Sequence, residues 1–163
     1  MELRAPRRYM LFIASILAAF SLAVIISPLT LPAGSVPELD GSIGVVDNWE
    51  RLRDVPWLQK AVYLIGDVNC HQQAERSFQV NGNQMPFCAR DLGIMMGAAA
   101  GTMLFMLRGR RAHRELLLLI LMPMALDGGL QALTSYESDN AIRLATGALA
   151  GLAVGWGAGA LVL

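Results

Sequence analysis

Apolar residues in this chain are gathered into four long runs, at residues 9–31, 92–107, 116–133 and 142–163, with polar stretches between them. A run of about 20 apolar residues crosses the hydrocarbon core of a bilayer as a helix. The pattern therefore predicts an all-α polytopic membrane protein with four transmembrane helices. The first run follows Arg4, Arg7 and Arg8. A signal peptide starts similarly, but its apolar region is only about 7–15 residues long, so an uncleaved helix is expected, closed by Pro28 and Pro32. The intervening segment 32–90 opens with an exposed connection rich in Pro, Gly, Ser and acidic residues up to Pro56. Trp49, Leu52, Trp57, Leu58, Val62 and Ile65 then recur at roughly helical spacing among Arg51, Arg53 and Lys60. That stretch is too polar to span. It predicts an amphipathic helix, either at the membrane interface with its tryptophans at headgroup depth or packed on the protein itself. A short polar turn, Ser135 to Asn140, separates the last two spans, and Ser138, Asp139 or Asn140 is placed to cap the fourth.

Charge adds orientation. The basic residues form two juxtamembrane clusters, the N-terminal arginines and Arg108, Arg110, Arg111, His113 and Arg114. With four spans both lie on one side, which the positive-inside rule makes cytoplasmic. The expectation is a multi-pass protein of the cytoplasmic membrane with both termini inside and residues 32–90 and 135–140 outside. The basic clusters carry no interleaved aromatics, and no nucleic-acid partner is expected. The composition, 55% hydrophobic and 16% charged, has too little polar surface for a soluble domain.

Two glycine stripes, Gly93/Gly97/Gly101 and Gly147/Gly151/Gly155, recur at every fourth residue. Such spacing lets helix backbones approach closely in lipid. The second and fourth spans are expected to pack tightly, on each other or on a second copy in a homo-oligomer.

Chemistry-bearing residues cluster in Asn69–Phe78 and Gln84–Asp91, separated by the Asn81-Gly82-Asn83 turn. If residues 70–78 are helical and 84–88 extended, the two arms run about 12 Å and about 13 Å, and Cys88 can return beside Cys70 and His71. Asp91 lies three residues past Cys88, on the same helical face. Cys70, His71, Cys88 and Asp91 make a set of donors that zinc accepts. Cys70 and His71 are adjacent and point apart in regular structure, so three ligands with an open position are as consistent as four. An open position is what a catalytic zinc needs. A Cys70–Cys88 disulfide, or free or redox-active thiols, remain alternatives. The third span carries Asp127 and Gln131 on one helix face. A carboxylate at that depth costs about 2.5–3.5 kcal/mol on insertion scales, so it should face a partner or a polar cavity. Arg143 near the start of the fourth span is a candidate partner. Gln72, Arg76, Arg90 and Arg143 are candidates for holding a substrate, and Asp127 and Gln131 for catalysis.

Cys70-His71-Gln72, Arg76-Ser77-Phe78, Cys88-Ala89-Arg90 with Gly93-Ile94 after it, and Asp127-Gly128-Gly129-Leu130-Gln131 together resemble a prokaryotic membrane family grouped as domain of unknown function 2085. The resemblance covers roughly residues 60 to 160. It implies Cys70, His71, Gln72, Arg76, Cys88, Arg90, Asp127 and Gln131 as signature positions, and implies no activity. Many members carry a second cysteine where this chain has Asp91, a departure that leaves a Cys/Cys/His/Asp set in place of an all-thiolate one.

Three functions follow. The first is a zinc-dependent hydrolase or transferase acting on a lipid or lipid-linked substrate at the bilayer surface. The second is a thiol–disulfide oxidoreductase coupled to a quinone, against which stands the lack of a Cys-x-x-Cys pair. The third is a non-enzymatic scaffold or complex subunit.

Overall fold

The computed structural model describes residues 4–108 and 113–162. Five α-helices follow in order: α1 Arg4–Thr30, α2 Trp57–Asn69, α3 Ala89–Arg108, α4 Arg114–Leu133 and α5 Asn140–Val162. Helices α1, α3, α4 and α5 are each long and apolar enough to cross a membrane, and the chain is a polytopic membrane protein with four candidate spans. Helices α3, α4 and α5 begin two or three residues before their apolar runs, and α1 five, because polar residues open them. Arg90 and Asp91 stand in the first turn of α3, and the Asp139 carboxylate caps α5 by accepting from the Ile142 N–H at 2.8 Å. Arg110, Arg111 and Leu163 lie outside the described residues.

The spans pack in the order α1, α3, α5, α4, with α3 against α5 the most extensive contact. Both glycine stripes lie in that contact. A Cβ at Gly93, Gly97 or Gly101 would collide with the α5 backbone at Leu144, Ala148 or Leu152, and one at Gly147, Gly151 or Gly155 with the α3 backbone at Arg90, Ile94 or Ala98. Backbone-to-backbone packing of this kind replaces the hydrophobic drive that lipid does not supply. Of the two expected arrangements it is the first, with the stripes covering each other within one chain. Helix α4 is peripheral. Leu118, Leu119, Met122 and Leu126 are exposed, whereas Asp127 is its buried residue.

Because successive spans alternate in direction, the ends of α1 and α4, the starts of α3 and α5, and all of residues 31–88 gather at one end of the bundle. There Leu31, Val36, Leu39, Leu52, Val55 and Tyr63 form a core that seats the connection on α2. Residues 49–56 form turns rather than helix, so Trp49 and Leu52 do not share the helix of Trp57. Helix α2 packs one face on the protein itself, the second of the two expected arrangements. Val62, Tyr63, Gly66 and Asp67 pack inward, while Trp57, Leu58 and Ile65 stay exposed.

A small antiparallel hairpin, β1 Gln79–Val80 and β2 Asn83–Gln84, follows α2. Its turn is Asn81-Gly82, both at positive φ (55° and 69°), the residue pair such two-residue loops favour. The side chains of β2 act as clamps. Asn83 Nδ2 donates to the carbonyls of Pro28 and Pro32, both at 3.0 Å, satisfying acceptors at the end of α1. Gln84 Oε1 accepts from the Leu39 N–H at 2.7 Å. Pro28 lies inside α1, which ends at Thr30.

Candidate functional site

Helix α2 ends at Asn69, and the chain turns instead of continuing as the helix expected over residues 70–78. Cys70 is extended at φ −138°, its N–H donating to the Gly66 carbonyl at 2.8 Å. Gln72 takes φ 48°, a left-handed conformation uncommon outside glycine and asparagine. Its fully buried side chain holds the turn in place: Nε2 donates to the carbonyls of Tyr63 (3.3 Å) and Pro86 (2.8 Å), and Oε1 accepts from Asn48 Nδ2 (3.1 Å). Asn48 Nδ2 also reaches Asp67, a buried acid on the inward face of α2. Gly66 permits the close approach, since a Cβ there would collide with the Pro86 carbonyl. Gln72 is a strut that fixes Cys70 against the segment leading to Cys88.

That segment brings the two cysteines together by a route other than the one expected, a sharp turn with a single 3-10 turn at Ala74–Arg76 in place of a helical arm. The ligand atoms of Cys70, Cys88 and Asp91 all lie within 4.8 Å of one another. The Cys88 N–H points at Cys70 Sγ (3.4 Å) and the Asp91 N–H at Cys88 Sγ (3.5 Å), so unpaired amides at the start of α3 face sulfur. Both thiols are free. The Cys70 thiol hydrogen-bonds to Cys88, which raises Cys70, with burial adding to the rise, and holds Cys88 below the ordinary thiol value despite its own burial. Of the two thiols, Cys88 is the more readily ionised.

His71 is not in this group. It is exposed, and its Nδ1 lies 3.3 Å from the Gly41 carbonyl. The reason is the one adjacency implies: with Cys70 extended, its neighbour projects the opposite way. Of the four residues expected as ligands, Cys70, Cys88 and Asp91 come together, and His71 lies on the cavity wall.

The cysteines open onto a cavity of about 200 Å³ whose lining also includes His71, Gln72, Arg76, Arg90, Asp91 and Arg143. Neither Asp127 nor Gln131 lines it. Asp127 lies behind Arg90, with which it forms an ion pair. Gln131 Nε2 and Ser138 Oγ both donate to Asp127 Oδ2, at 3.2 and 3.3 Å, and Gln131 also donates to Ser138. The expected Asp127–Arg143 pair is replaced by Asp127–Arg90, because Arg90 in the first turn of α3 projects toward α4. Arg143 turns the other way: NH1 donates to the Glu75 carbonyl (3.3 Å) and Asn140 Oδ1 (3.4 Å). Arg76 sits 3.7 Å from Glu137 at the half-exposed rim. Ser138, considered only as a cap, is a partner of Asp127; its position in a short polar turn carried no signal of that contact.

Residues 70–156, just over half of the 163-residue chain, match the family described as "Predicted membrane protein (DUF2085)". The chain belongs to this family. The matched stretch carries Cys70, Cys88, Asp91, the three cavity arginines and Asp127, and omits α1 and α2. Among relatives, an uncharacterized protein of Methanocaldococcus jannaschii is 34% identical over 98 residues, covering 57% of this chain and 63% of the relative. An uncharacterized protein of Methanothermobacter thermautotrophicus is 35% identical over 86 residues, covering 51% of this chain and 78% of the relative. The chain thus spans less than two thirds of the length of the first of these relatives. No solved structure matches it.

Proposed function

We propose that this member of the family is a metal-dependent membrane enzyme, a hydrolase or transferase acting on a lipid or membrane-associated substrate, with zinc held by Cys70, Cys88 and Asp91. The observation that carries the reading is the convergence of these three ligand atoms, within 4.8 Å of one another, on the wall of a cavity lined by three arginines. In a tetrahedral zinc site neighbouring ligand atoms stand about 3.4–3.8 Å apart, so small side-chain adjustments close the set. The donor chemistry fits. A lowered Cys88 thiol is ready to ligate, and metal binding takes the proton that Cys70 holds. Three protein ligands leave one position for water or a substrate oxygen, and a zinc ion there supplies Lewis acidity and an activated water.

The chain's own residues take distinct parts. Arg90, Arg76 and Arg143 hold an anionic group in the cavity. Asp127 and Gln131 act through Arg90, fixing the direction of its guanidinium, and are positioning residues in this reading. In this reading the positive-inside rule, applied to the arginines of the N-terminus and the 108–114 cluster, favours cytoplasmic termini, which would open the cavity at the outer face of the cytoplasmic membrane.

Cobalt(II) titration of chelator-treated protein tests the site. Tetrahedral thiolate ligation gives intense visible and near-ultraviolet absorption at one equivalent, and C88S abolishes it. A titration that yields only the spectrum of hydrated cobalt overturns the reading.

A further inference from the structure

We infer that the cavity is a binding site for a phosphate group, held by Arg76, Arg90 and Arg143. The inference rests on the preceding reading for the importance of this cavity, and it supplies the substrate class. Its physical basis is separate from the thiols.

Arg143 is 3% exposed, and among the described residues it forms no salt bridge. Its Nε and NH2 are buried without a hydrogen-bond partner, although the residue lines the cavity. The Nε atoms of Arg90 and Arg76 are in the same condition. A buried guanidinium lacking acceptors is strongly unfavourable, since the ion cannot discharge at any ordinary pH. Arg143 is the group in that position; Arg90 and Arg76 each have one carboxylate but keep an unpartnered Nε beside the same cavity, so a ligand rich in acceptors would serve all three. The nearby carboxylates do not meet the need. Asp127 spends Oδ2 on Arg90 and on two neutral donors, and its partnerless Oδ1 is buried away from the cavity lining. Glu137 reaches Arg76 only at the exposed rim, and Asp91 belongs with the cysteines.

A phosphate group meets it. Its tetrahedral oxygens accept from several directions at once, as three guanidinium forks from different elements demand. Its charge balances Arg143, which no carboxylate pairs among the described residues. The cavity, about 200 Å³, is below the roughly 300–1,000 Å³ of sites that enclose whole small molecules, so it suits a phosphate headgroup better than an entire ligand. Its place at the start of two spans lets that group belong to a lipid or arrive free from solution.

The test uses the full chain in nanodiscs. Inorganic phosphate binding is measured by calorimetry in discs of phosphatidylcholine. A second arm measures incorporation of phosphatidic acid into the protein's bound lipid from mixed discs. The expected result is saturable binding near one per chain, weakened about tenfold or more by R76Q and by R143K. R76Q removes a rim charge, and R143K keeps the buried charge while losing the fork, so both leave a folded chain to measure. Binding of inorganic phosphate identifies a free phosphate, and enrichment of phosphatidic acid alone identifies a lipid headgroup; either supports the inference. Metal content is measured in parallel on every sample. Phosphate binding that survives chelation and fails in the arginine variants supports the inference even if no metal is ever found. Two results overturn it: neither probe binds the unaltered chain, or R76Q and R143K bind as tightly as it does.

Discussion

Arg90 and Asp127 join two helices that otherwise touch little. Arg90 opens α3, Asp127 lies on the inward face of peripheral α4, and their side chains are 23% and 5% exposed. The same arginine lines the cavity, so one ion pair couples the seating of α4 to the geometry of the site. Breaking a buried pair from one side leaves an uncompensated charge, at about 3–5 kcal/mol. D127N should therefore lower the thermal unfolding midpoint in detergent clearly, whereas R90M/D127L, which removes both charges, should recover much of the loss. Equal stability of D127N and the parent chain would show that Arg90 is held by something else.

The α3–α5 contact sets a steric prediction. G97L and G151V place side chains against the opposing backbone, where nothing can yield, and should give little folded protein by size-exclusion chromatography. G128A is the control: a Cβ there meets nothing within 4 Å, and alanine is the better helix former by about 1 kcal/mol, so the variant should be as stable as the parent or slightly more so.

The two thiols should differ in reactivity in metal-free protein. Cys70 is buried and raised, while Cys88 is partly exposed and lowered by the Cys70 hydrogen bond. A lowered thiol is thiolate at lower pH, so maleimide should modify Cys88 first. C70A removes the donor, and its pH–rate profile for Cys88 should move to higher pH. Faster labelling of Cys70 would contradict this arrangement.

Much of this was legible in the sequence. The spans follow from hydropathy, and the α3–α5 contact from glycine at every fourth position, because both depend on one-dimensional spacing. The meeting of Cys70 and Cys88 was legible as a distance, although the turn at Gln72 achieves it where a helix was expected. Three things were hidden, all of them matters of side-chain direction. His71 stands apart from Cys70, Cys88 and Asp91 because an extended Cys70 turns it away. Arg90 rather than Arg143 finds Asp127 because helix rotation decides which arginine faces α4. Gln72 became a strut because only the folded chain places Tyr63, Pro86 and Asn48 around its amide.

Orientation can be checked independently. In a cysteine-free variant, a single cysteine at Ser35 or Tyr136 should react with a membrane-impermeant thiol reagent added to intact cells, and one at Arg108 should react only after lysis. The reverse pattern would put the cavity on the cytoplasmic side.

The most direct measurement is zinc per chain by elemental analysis of protein purified without chelator, with free thiols counted on the same sample. The account predicts close to one zinc per chain, lost in C88S, and two thiols recovered after denaturation in chelator. No stoichiometric metal, together with a Cys70–Cys88 disulfide, would contradict it and point to thiol–disulfide chemistry instead.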